Sequence, residues 1–237
     1  MAQSSLQSKR AFIIGFTGEI GKQLARELIE RNVFKELILV GRRQVDNELY
    51  NKANITQKVI DFDKMSEHAD AFTGCDVGFC CLGTTRGKAG KDGFYRVDHD
   101  YVVECAKLSH AAGCQHFNLV SSTGANANSM FHYMKTKGQV ENEIAELGFA
   151  RYSVYRPATL LYPPEGRTEQ RFGEKVWTTV LKPIAWAKPT AMTIPTVTVA
   201  KAMIGNVWKA PESADGGKFE IFENAKLHEM AGELDKA

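Results

Sequence analysis

The sequence lacks the features that mark a disulfide-linked, zinc-binding or membrane-spanning protein. Its five cysteines include no CxxC pair, and its six histidines are scattered without a pair at the spacing of metal ligands. Residues 1–9 are polar and contain no apolar core of a signal peptide, and no stretch approaches the roughly 20 apolar residues that cross a bilayer. We therefore expect a cytoplasmic protein with free thiols, without a metal site or a membrane span.

The charge is too small to indicate a polyanionic partner. Lysines and arginines number 30 against 28 acidic residues, which gives a formal net charge of +2, so we expect neither nucleic acid nor an anionic membrane as a partner. Hydrophobic residues make up 43% of the 237 positions, enough to bury a sizeable core. The length suits a single domain over 10–237, preceded by the polar segment 1–9.

Short apolar runs alternate with stretches of helical periodicity from the N-terminus to Arg156. Six runs are predicted to be strands, at 11–14, 37–40, 59–60, 77–80, 117–120 and 152–156. Helices are predicted from Glu19, around 65–72, over 97–112 and over 131–147. Strands that alternate with helices form parallel βαβ units. The predicted fold is therefore α/β, a doubly wound parallel sheet of the Rossmann type.

The pattern changes after Pro157, because five of the seven prolines fall between 157 and 189. We predict that 157–195 is a small irregular region that serves as a lid on the substrate side of the sheet. A helix over 197–208, a strand over 218–222 and a short terminal helix should follow. The basic, glycine-rich stretch 86–93 is predicted to be a solvated loop.

A glycine-rich loop follows the first predicted strand and reads Gly15-Phe16-Thr17-Gly18-Glu19-Ile20-Gly21. Gly15 permits a sharp turn off the strand, Gly18 permits backbone to approach a pyrophosphate, and Gly21 permits close packing of the next helix. The N–H groups at the start of that helix are available to phosphates. The spacing GxxGxxG therefore predicts a dinucleotide site, because a strand precedes it and a helix follows.

The second predicted strand ends in Gly41-Arg42-Arg43, where NAD-dependent enzymes carry an acidic residue that binds the ribose hydroxyls. Arginine binds phosphate with two hydrogen bonds, so Arg42 and Arg43 predict NADPH through its 2′-phosphate. Leu82 and Gly83 follow the fourth strand, where backbone runs under the adenosine ribose, which fits a ligand at the switch point of the sheet.

Tyr133 and Lys137 are separated by one helical turn and resemble the Tyr-x-x-x-Lys pair of short-chain dehydrogenases. A tyrosine hydroxyl, with an ordinary pKa of about 10, needs a neighbouring cation before it can act as a base near neutral pH. Lys137 would supply that charge and hold the nicotinamide ribose. Ser122, at the end of the fifth strand, would polarise the substrate carbonyl, with Ser121 as the alternative.

Three longer stretches, 78–90, 116–119 and 151–154, make the chain similar to the HIV Tat-interacting protein oxidoreductases, an atypical branch of the short-chain dehydrogenases. The resemblance implies NADPH binding and places its contacts on matching positions. In this reading, Gly18, Glu19 and Ile20 hold the pyrophosphate, Leu160 lines the nicotinamide, and Arg167 closes over the cofactor. Tyr133 is the proton acceptor.

The same resemblance implies partners and locations beyond the substrate. It suggests a nuclear import receptor and a translation elongation factor as protein partners, a nuclear or nuclear-envelope location besides the cytoplasm, and a monomer or weak dimer. The family's N-terminal extension, to which these partners are attributed, is shortened to residues 1–9 here.

Two functions fit these expectations. The first is an NADPH-dependent oxidoreductase that acts on a small carbonyl or alcohol, in which Ser122, Tyr133 and Lys137 do the chemistry. The second is a non-catalytic NADPH-binding redox sensor that acts through protein partners, in which the cysteines could take part. An epimerase or dehydratase with tightly held NAD is disfavoured by Arg42 and Arg43.

Overall fold

The computed structural model describes residues 6–84, 86–162, 192–209 and 218–236. In these residues seven parallel strands form one sheet in the order β3-β2-β1-β4-β5-β6-β9. Their bounds are Arg10–Ile14 (β1), Glu36–Gly41 (β2), Ile55–Val59 (β3), Val77–Cys80 (β4), His116–Val120 (β5), Arg151–Arg156 (β6) and Lys218–Glu223 (β9). Two short strands, Thr159–Leu161 (β7) and Thr193–Pro195 (β8), pair with each other. The predicted doubly wound sheet is confirmed.

Helices cover both faces of the sheet. The α-helices are Glu19–Glu30 (α1), Arg86–Tyr95 (α2), Tyr101–Ala111 (α3), His132–Ala145 (α4), Thr196–Trp208 (α5) and Asn224–Leu234 (α6). On β1, Ile13 belongs to the apolar layer under α1, α5 and α6, whereas Phe12 and Ile14 belong to the layer under α3 and α4. Burial on both faces explains why the central strands are continuous apolar runs.

The third strand was predicted with the wrong bounds. It was expected at 59–60 but runs from Ile55 to Val59, paired in parallel with β2. It lies at the edge of the sheet, and its central residues, Thr-Gln-Lys, are partly or fully exposed. An edge strand buries less of its surface, so the apolar run that reveals a central strand is missing here.

Two connecting segments also differ from expectation. The stretch predicted as a helix around 65–72 is a 3₁₀ helix, Phe62–Ala71, interrupted by non-helical backbone at Lys64 and His68. The stretch predicted as a loop, 86–93, lies in helix α2, which is kinked at Gly90 where φ is 71°. Glycine tolerates that left-handed conformation, so its presence marks the kink rather than the end of the helix.

Most of the predicted lid, 157–195, lies outside the described residues. The two described ends of that stretch carry β7 and β8, which run parallel to each other. Among the described residues no helix combines the length and the apolar character that a membrane span requires.

Because all seven strands of the sheet are parallel, the segments that follow them meet at one edge. Gly15 follows β1, Gly41 ends β2, Cys81 follows β4 and Ser121 follows β5. The register places Ile14 beside Val40 and Cys80, so the loops after β1, β2 and β4 are neighbours. Ligands bind at this edge in open α/β sheets.

Candidate functional site

A cleft of about 730 Å³ opens at the carboxyl edge of the sheet. Its walls include seven of the residues that the sequence predicted to bind a cofactor: Gly15, Thr17, Gly18, Arg42, Arg43, Leu82 and Gly83. The loops after β1, β2 and β4 therefore share one concave surface, as their register requires. Ala89, Val97 and Tyr101 complete the wall from the helical side.

The glycine loop leaves no room for side chains at two of its positions. Gly15 has φ of 83°, and a Cβ atom there would lie 2.7 Å from the carbonyl carbon of Cys81. A Cβ atom on Gly21 would lie 2.2 Å from the carbonyl oxygen of Gly15. The first helix therefore packs directly on the loop, and the loop packs directly on the end of β4. With no side chain in between, a ligand in the cleft can contact the backbone of the loop.

Helix α1 begins with unsatisfied donors. Gly18 is its N-cap and supplies no side-chain hydrogen bond, and the bond from Lys22 N to Gly18 O, 2.8 Å, is the first one of the helix. The N–H groups of Glu19, Ile20 and Gly21 precede that bond and so lack helical acceptors. Since the Ile20 side chain is buried in the core, only its backbone can serve a ligand. Free donors at the start of a helix are the feature with which helix N-termini bind anions.

Two arginines stand at the outer end of the cleft without acidic partners. Arg42 and Arg43 are exposed, and among the described residues neither makes an ion pair. The Arg42 guanidinium lies 5.8 Å from the ring centroid of Phe62. This cation–π contact stabilises the guanidinium and leaves its charge in place. The end of β2 is therefore positively charged.

The wall of the cleft at Gly83 lies near Lys137, one member of the predicted catalytic pair on α4. The Tyr133 side chain is 39% exposed, whereas Lys137 is buried. The Lys137 ammonium lies 2.9 Å from Oδ1 of Asp98. Burial alone would lower the pKa of Lys137, but the Asp98 charge and hydrogen bond, together with the charge of a Tyr133 phenolate, raise it above its ordinary value. Lys137 therefore stays protonated although it is buried.

Asp98 is a site residue that the sequence did not reveal. It is 1% exposed, and its second oxygen, Oδ2, accepts a hydrogen bond of 2.7 Å from Thr84 N. A Cβ atom on Gly83 would lie 3.4 Å from Asp98 Oδ1 and 4.0 Å from Lys137 Nζ. Asp98 thus joins the lysine to the loop after β4. In the sequence it lies in the stretch Val-Asp-His-Asp, beside two polar residues, and resembles an ordinary exposed helix residue.

The two candidate serines have different surroundings. Ser121 is buried, and its hydroxyl donates a bond of 2.5 Å to Glu141, which also accepts from Arg156. Ser122 is half-buried, and its hydroxyl makes only a 3.4 Å contact with the carbonyl of Thr123. Since Ser121 is committed to a structural network, Ser122 is the better placed of the two to serve a substrate.

Some predicted residues lie apart from the cleft or outside the description. Leu160 is half-buried on β7 and packs against the core, and neither it, Ser122 nor Tyr133 contributes to the described walls of the cleft. Arg167 lies outside the described residues. Within the described ranges no group of three histidine, cysteine, aspartate or glutamate residues is arranged to hold a metal ion.

Comparison with known proteins agrees with the geometry. The sequence model of a family described as NAD(P)H-binding matches residues 15–183. The rat protein HTATIP2 is 45% identical over 233 residues, which cover 97% of this chain and 92% of the rat protein. The mitochondrial protein FMP52 of Debaryomyces hansenii is 41% identical over 155 residues, or 64% of this chain and 66% of its own length.

Solved structures share the fold at low sequence identity. A putative NAD-dependent epimerase/dehydratase from Bacillus halodurans superposes with a TM-score of 0.67 at 18% identity, covering 94% of this chain and 99% of that one. MoeE5 in complex with UDP-glucuronic acid and NAD gives 0.66 at 14% identity, covering 90% and 75%. At such identities the likeness concerns the fold alone.

The resemblance inferred from the sequence motifs is confirmed by these matches. The family model covers most of the chain, and the rat relative aligns with nearly all of it. The chain therefore belongs to the NAD(P)H-binding family, in the branch that includes rat HTATIP2.

Proposed function

We propose that the protein is an NADPH-dependent oxidoreductase that interconverts a small carbonyl compound and its alcohol. The observation that carries this proposal is one cleft with two unpaired arginines at its outer end and the Tyr133–Lys137 pair beside its inner end. A dinucleotide phosphate has its extra charge at one end and its reactive ring at the other, so the two ends of the cleft match the two ends of the molecule.

The residues of the cleft fit NADPH. The loop from Gly15 to Gly21, closed to side chains at both of those glycines, and the free N–H groups of α1 would hold the pyrophosphate. Arg42 and Arg43 would bind the 2′-phosphate, and Leu82 and Gly83 would lie under the adenosine. When bound, the reduced nicotinamide would supply the hydride.

The chain itself would move the proton. The Tyr133 hydroxyl would donate a proton to the carbonyl oxygen of the substrate in reduction and accept it in oxidation. The Lys137 charge, maintained by Asp98, would stabilise the phenolate left behind. The Ser122 hydroxyl would donate a hydrogen bond to the same oxygen and so favour the charge that develops there.

Two of the buried cysteines, Cys75 and Cys114, give little support to a thiol-based sensor. Burial raises the pKa of Cys75 to about 11 and that of Cys114 to about 12. Thiolates, which are the reactive form, are therefore scarce at these two positions at neutral pH.

The test is the oxidation of NADPH, followed by its absorbance, across a panel of aldehydes, ketones and quinones. The proposal expects turnover with at least one class of carbonyl and loss of that turnover in Tyr133→Phe. Tight NADPH binding without turnover on any member would contradict the enzyme and favour the sensor.

Location and protein partners belong to the same proposal and rest on the resemblance alone. We propose a cytoplasmic and nuclear protein that contacts an import receptor or an elongation factor, as a monomer or weak dimer. Relatives from yeasts are named as mitochondrial, so fractionation of cells that express a tagged chain should compare all three compartments.

A further inference from the structure

The surface around Tyr133 is unusually apolar. Four neighbouring side chains, Met130, Phe131, Tyr133 and Met134, are 100%, 72%, 39% and 36% exposed, respectively. They make up half of the large hydrophobic side chains that are exposed among the described residues, although they span only five positions. We name these four residues the apolar rim. Contiguous exposed apolar surface of this kind marks a place where something binds.

The fold holds the rim in position. Phe131 is the N-cap of α4, so the rim lies where the chain enters the helix. The Met134 side chain lies over Gly124, where an added Cβ atom would be 3.3 Å from its terminal methyl carbon. The ring of Tyr133 packs 5.6 Å from that of Phe94, which is fully buried. One part of the tyrosine is thus anchored while the rest remains open beside Met130 and Phe131.

Among the residues that the structure describes, the charges near the rim do not favour an anionic substrate. Lys137, the cation one turn beyond Tyr133, is neutralised by the buried carboxylate of Asp98 at 2.9 Å. Lys135 is two positions along α4 from Tyr133, about 200° around the helix, and so lies on a different face. The unpaired arginines, Arg42 and Arg43, stand at the other end of the cleft. A bound dinucleotide would add negative charge, which repels anions further.

From this combination we propose that the substrate is an uncharged carbonyl compound with an apolar tail, and that the apolar rim binds the tail. The inference rests on the proposed function, since it assumes that Tyr133 gives the proton. In the reaction, aldehyde, NADPH and one proton give alcohol and NADP⁺. The carbonyl carbon gains the hydride and its oxygen gains the proton of Tyr133, while the tail is unchanged.

The test is a series of straight-chain aldehydes from propanal to nonanal, with succinic semialdehyde as a charged member. We expect kcat/KM to rise roughly two- to fourfold with each methylene that reaches the rim, as burial of a methylene predicts. Succinic semialdehyde should be reduced at least tenfold less well than pentanal. The Phe131→Ser variant, alone and with Met130→Ser, should flatten the dependence on chain length.

Two further measurements separate the inference from the proposed function. Binding of the matching alcohols to the NADP⁺-loaded protein, measured by calorimetry, needs no turnover and should show the same dependence on chain length. The matched control is Phe219→Ser, because Phe219 is 47% exposed on β9 and its ring stacks on Tyr152 rather than on a residue of the rim. This control should leave the dependence on chain length unchanged.

Each possible result supports or contradicts either the apolar site or the proposed function. Turnover of all aldehydes with equal kcat/KM, or equal binding of short and long alcohols, would overturn the inference and leave the proposed function standing. A third outcome is that longer alcohols bind more tightly, that Phe131→Ser abolishes this dependence, and that no aldehyde is turned over. That outcome would support the apolar site and overturn the proposed enzymatic function. A better rate with succinic semialdehyde than with pentanal would overturn the charge argument.

Discussion

Two polar regions lie against the same sheet and are built in opposite ways. At the cleft, by the ends of β1, β2 and β4, Arg42 and Arg43 have no acidic partner in the part of the chain that the structure describes, and the first N–H groups of α1 have no helical acceptor. Between β5, β6, β9 and α5, polar side chains are buried and bonded to one another; we name them the buried network. Its members are His116, Asn118, Arg151, Ser153, Tyr155, Asn206 and Glu220.

The buried network is satisfied at its centre. Arg151 donates to Glu220 at 2.9 Å and to Asn206 at 2.8 Å. The hydroxyl of Ser153 bonds to Glu220 at 2.9 Å and lies 2.9 Å from His116 Nε2. A serine, a histidine and a glutamate in contact are also the residue types of a hydrolase triad, but Ser153 and His116 are buried, and the partly exposed glutamate contacts the serine rather than the histidine. The arrangement stabilises the fold.

Residue type does not distinguish these two regions, whereas unmet hydrogen-bonding capacity among the described residues does. Buried polar groups pair with one another because leaving them unpaired costs free energy. A binding site keeps its donors free for the ligand. Two of the stretches that carry the family resemblance, 116–119 and 151–154, contribute to the buried network, so that part of the resemblance reports the fold rather than the site.

The largest effect should come from Tyr133→Phe, which would remove the proposed proton donor beside the cleft. We expect turnover to fall about 10²- to 10⁴-fold, with NADPH affinity changed little, in steady-state kinetics and calorimetry on the same preparation. The control is Tyr152→Phe, because the buried Tyr152 hydroxyl has no hydrogen-bond partner. That variant should keep its turnover. Equal losses in both variants would show that the effect is structural.

The next effect should come from Arg151→Met in the buried network. It removes the guanidinium that bonds to Glu220, Asn206 and the Lys209 carbonyl, while Lys218 still pairs with Glu220 at 2.8 Å. We therefore expect the free energy of unfolding to fall by about 2–3 kcal/mol in urea titrations. Arg10→Met breaks a comparable 2.8 Å pair with Glu36, but both side chains are about one-third exposed. This control should cost at most about 1 kcal/mol. Equal losses of unfolding free energy in the two variants would contradict the distinction between buried and exposed polar contacts.

Asp98→Asn probes the buried ion pair that adjoins the cleft. Without the carboxylate, burial lowers the pKa of Lys137 in the folded state. At pH values below the ordinary pKa of lysine, the folded variant then binds fewer protons than the unfolded chain. Stability of the variant should therefore rise with pH, and its deficit, about 3 kcal/mol at pH 7, should shrink at pH 9.5. Urea titrations at both pH values measure this. A deficit that is independent of pH would show that Lys137 keeps its charge without Asp98.

A smaller effect should appear in mild acid. Burial, with the charge of Arg151, lowers the pKa of His116 to about 3 from its ordinary 6.5. Between those values the unfolded chain binds a proton that the folded chain does not, so stability should decline as pH falls from 6.5. His116→Asn should flatten the slope of unfolding free energy between pH 6 and pH 5. An unchanged slope between pH 6 and pH 5 would show that groups other than His116 cause the acid sensitivity.

The sequence predicted the residues of the cleft better than those of the buried network. The glycine spacing, the arginines after β2 and the Tyr133–Lys137 pair are local patterns, and the parallel sheet brings their segments together at one edge. Asp98 could not be predicted, because its burial depends on how α3 and the loop after β4 pack. The edge strand β3 was misplaced since exposed strands lack the apolar run that reveals buried ones.

The most direct test of the account is a calorimetric comparison of NADPH and NADH binding. Because Arg42 and Arg43 stand unpaired at the outer end of the cleft, NADPH should bind at least tenfold more tightly, a difference of about 1.4 kcal/mol or more. Replacement of both arginines by alanine should remove most of that preference, whereas Arg26→Ala on the outer surface of α1 should not. Equal affinity of the unaltered protein for the two cofactors would contradict the assignment of the cleft.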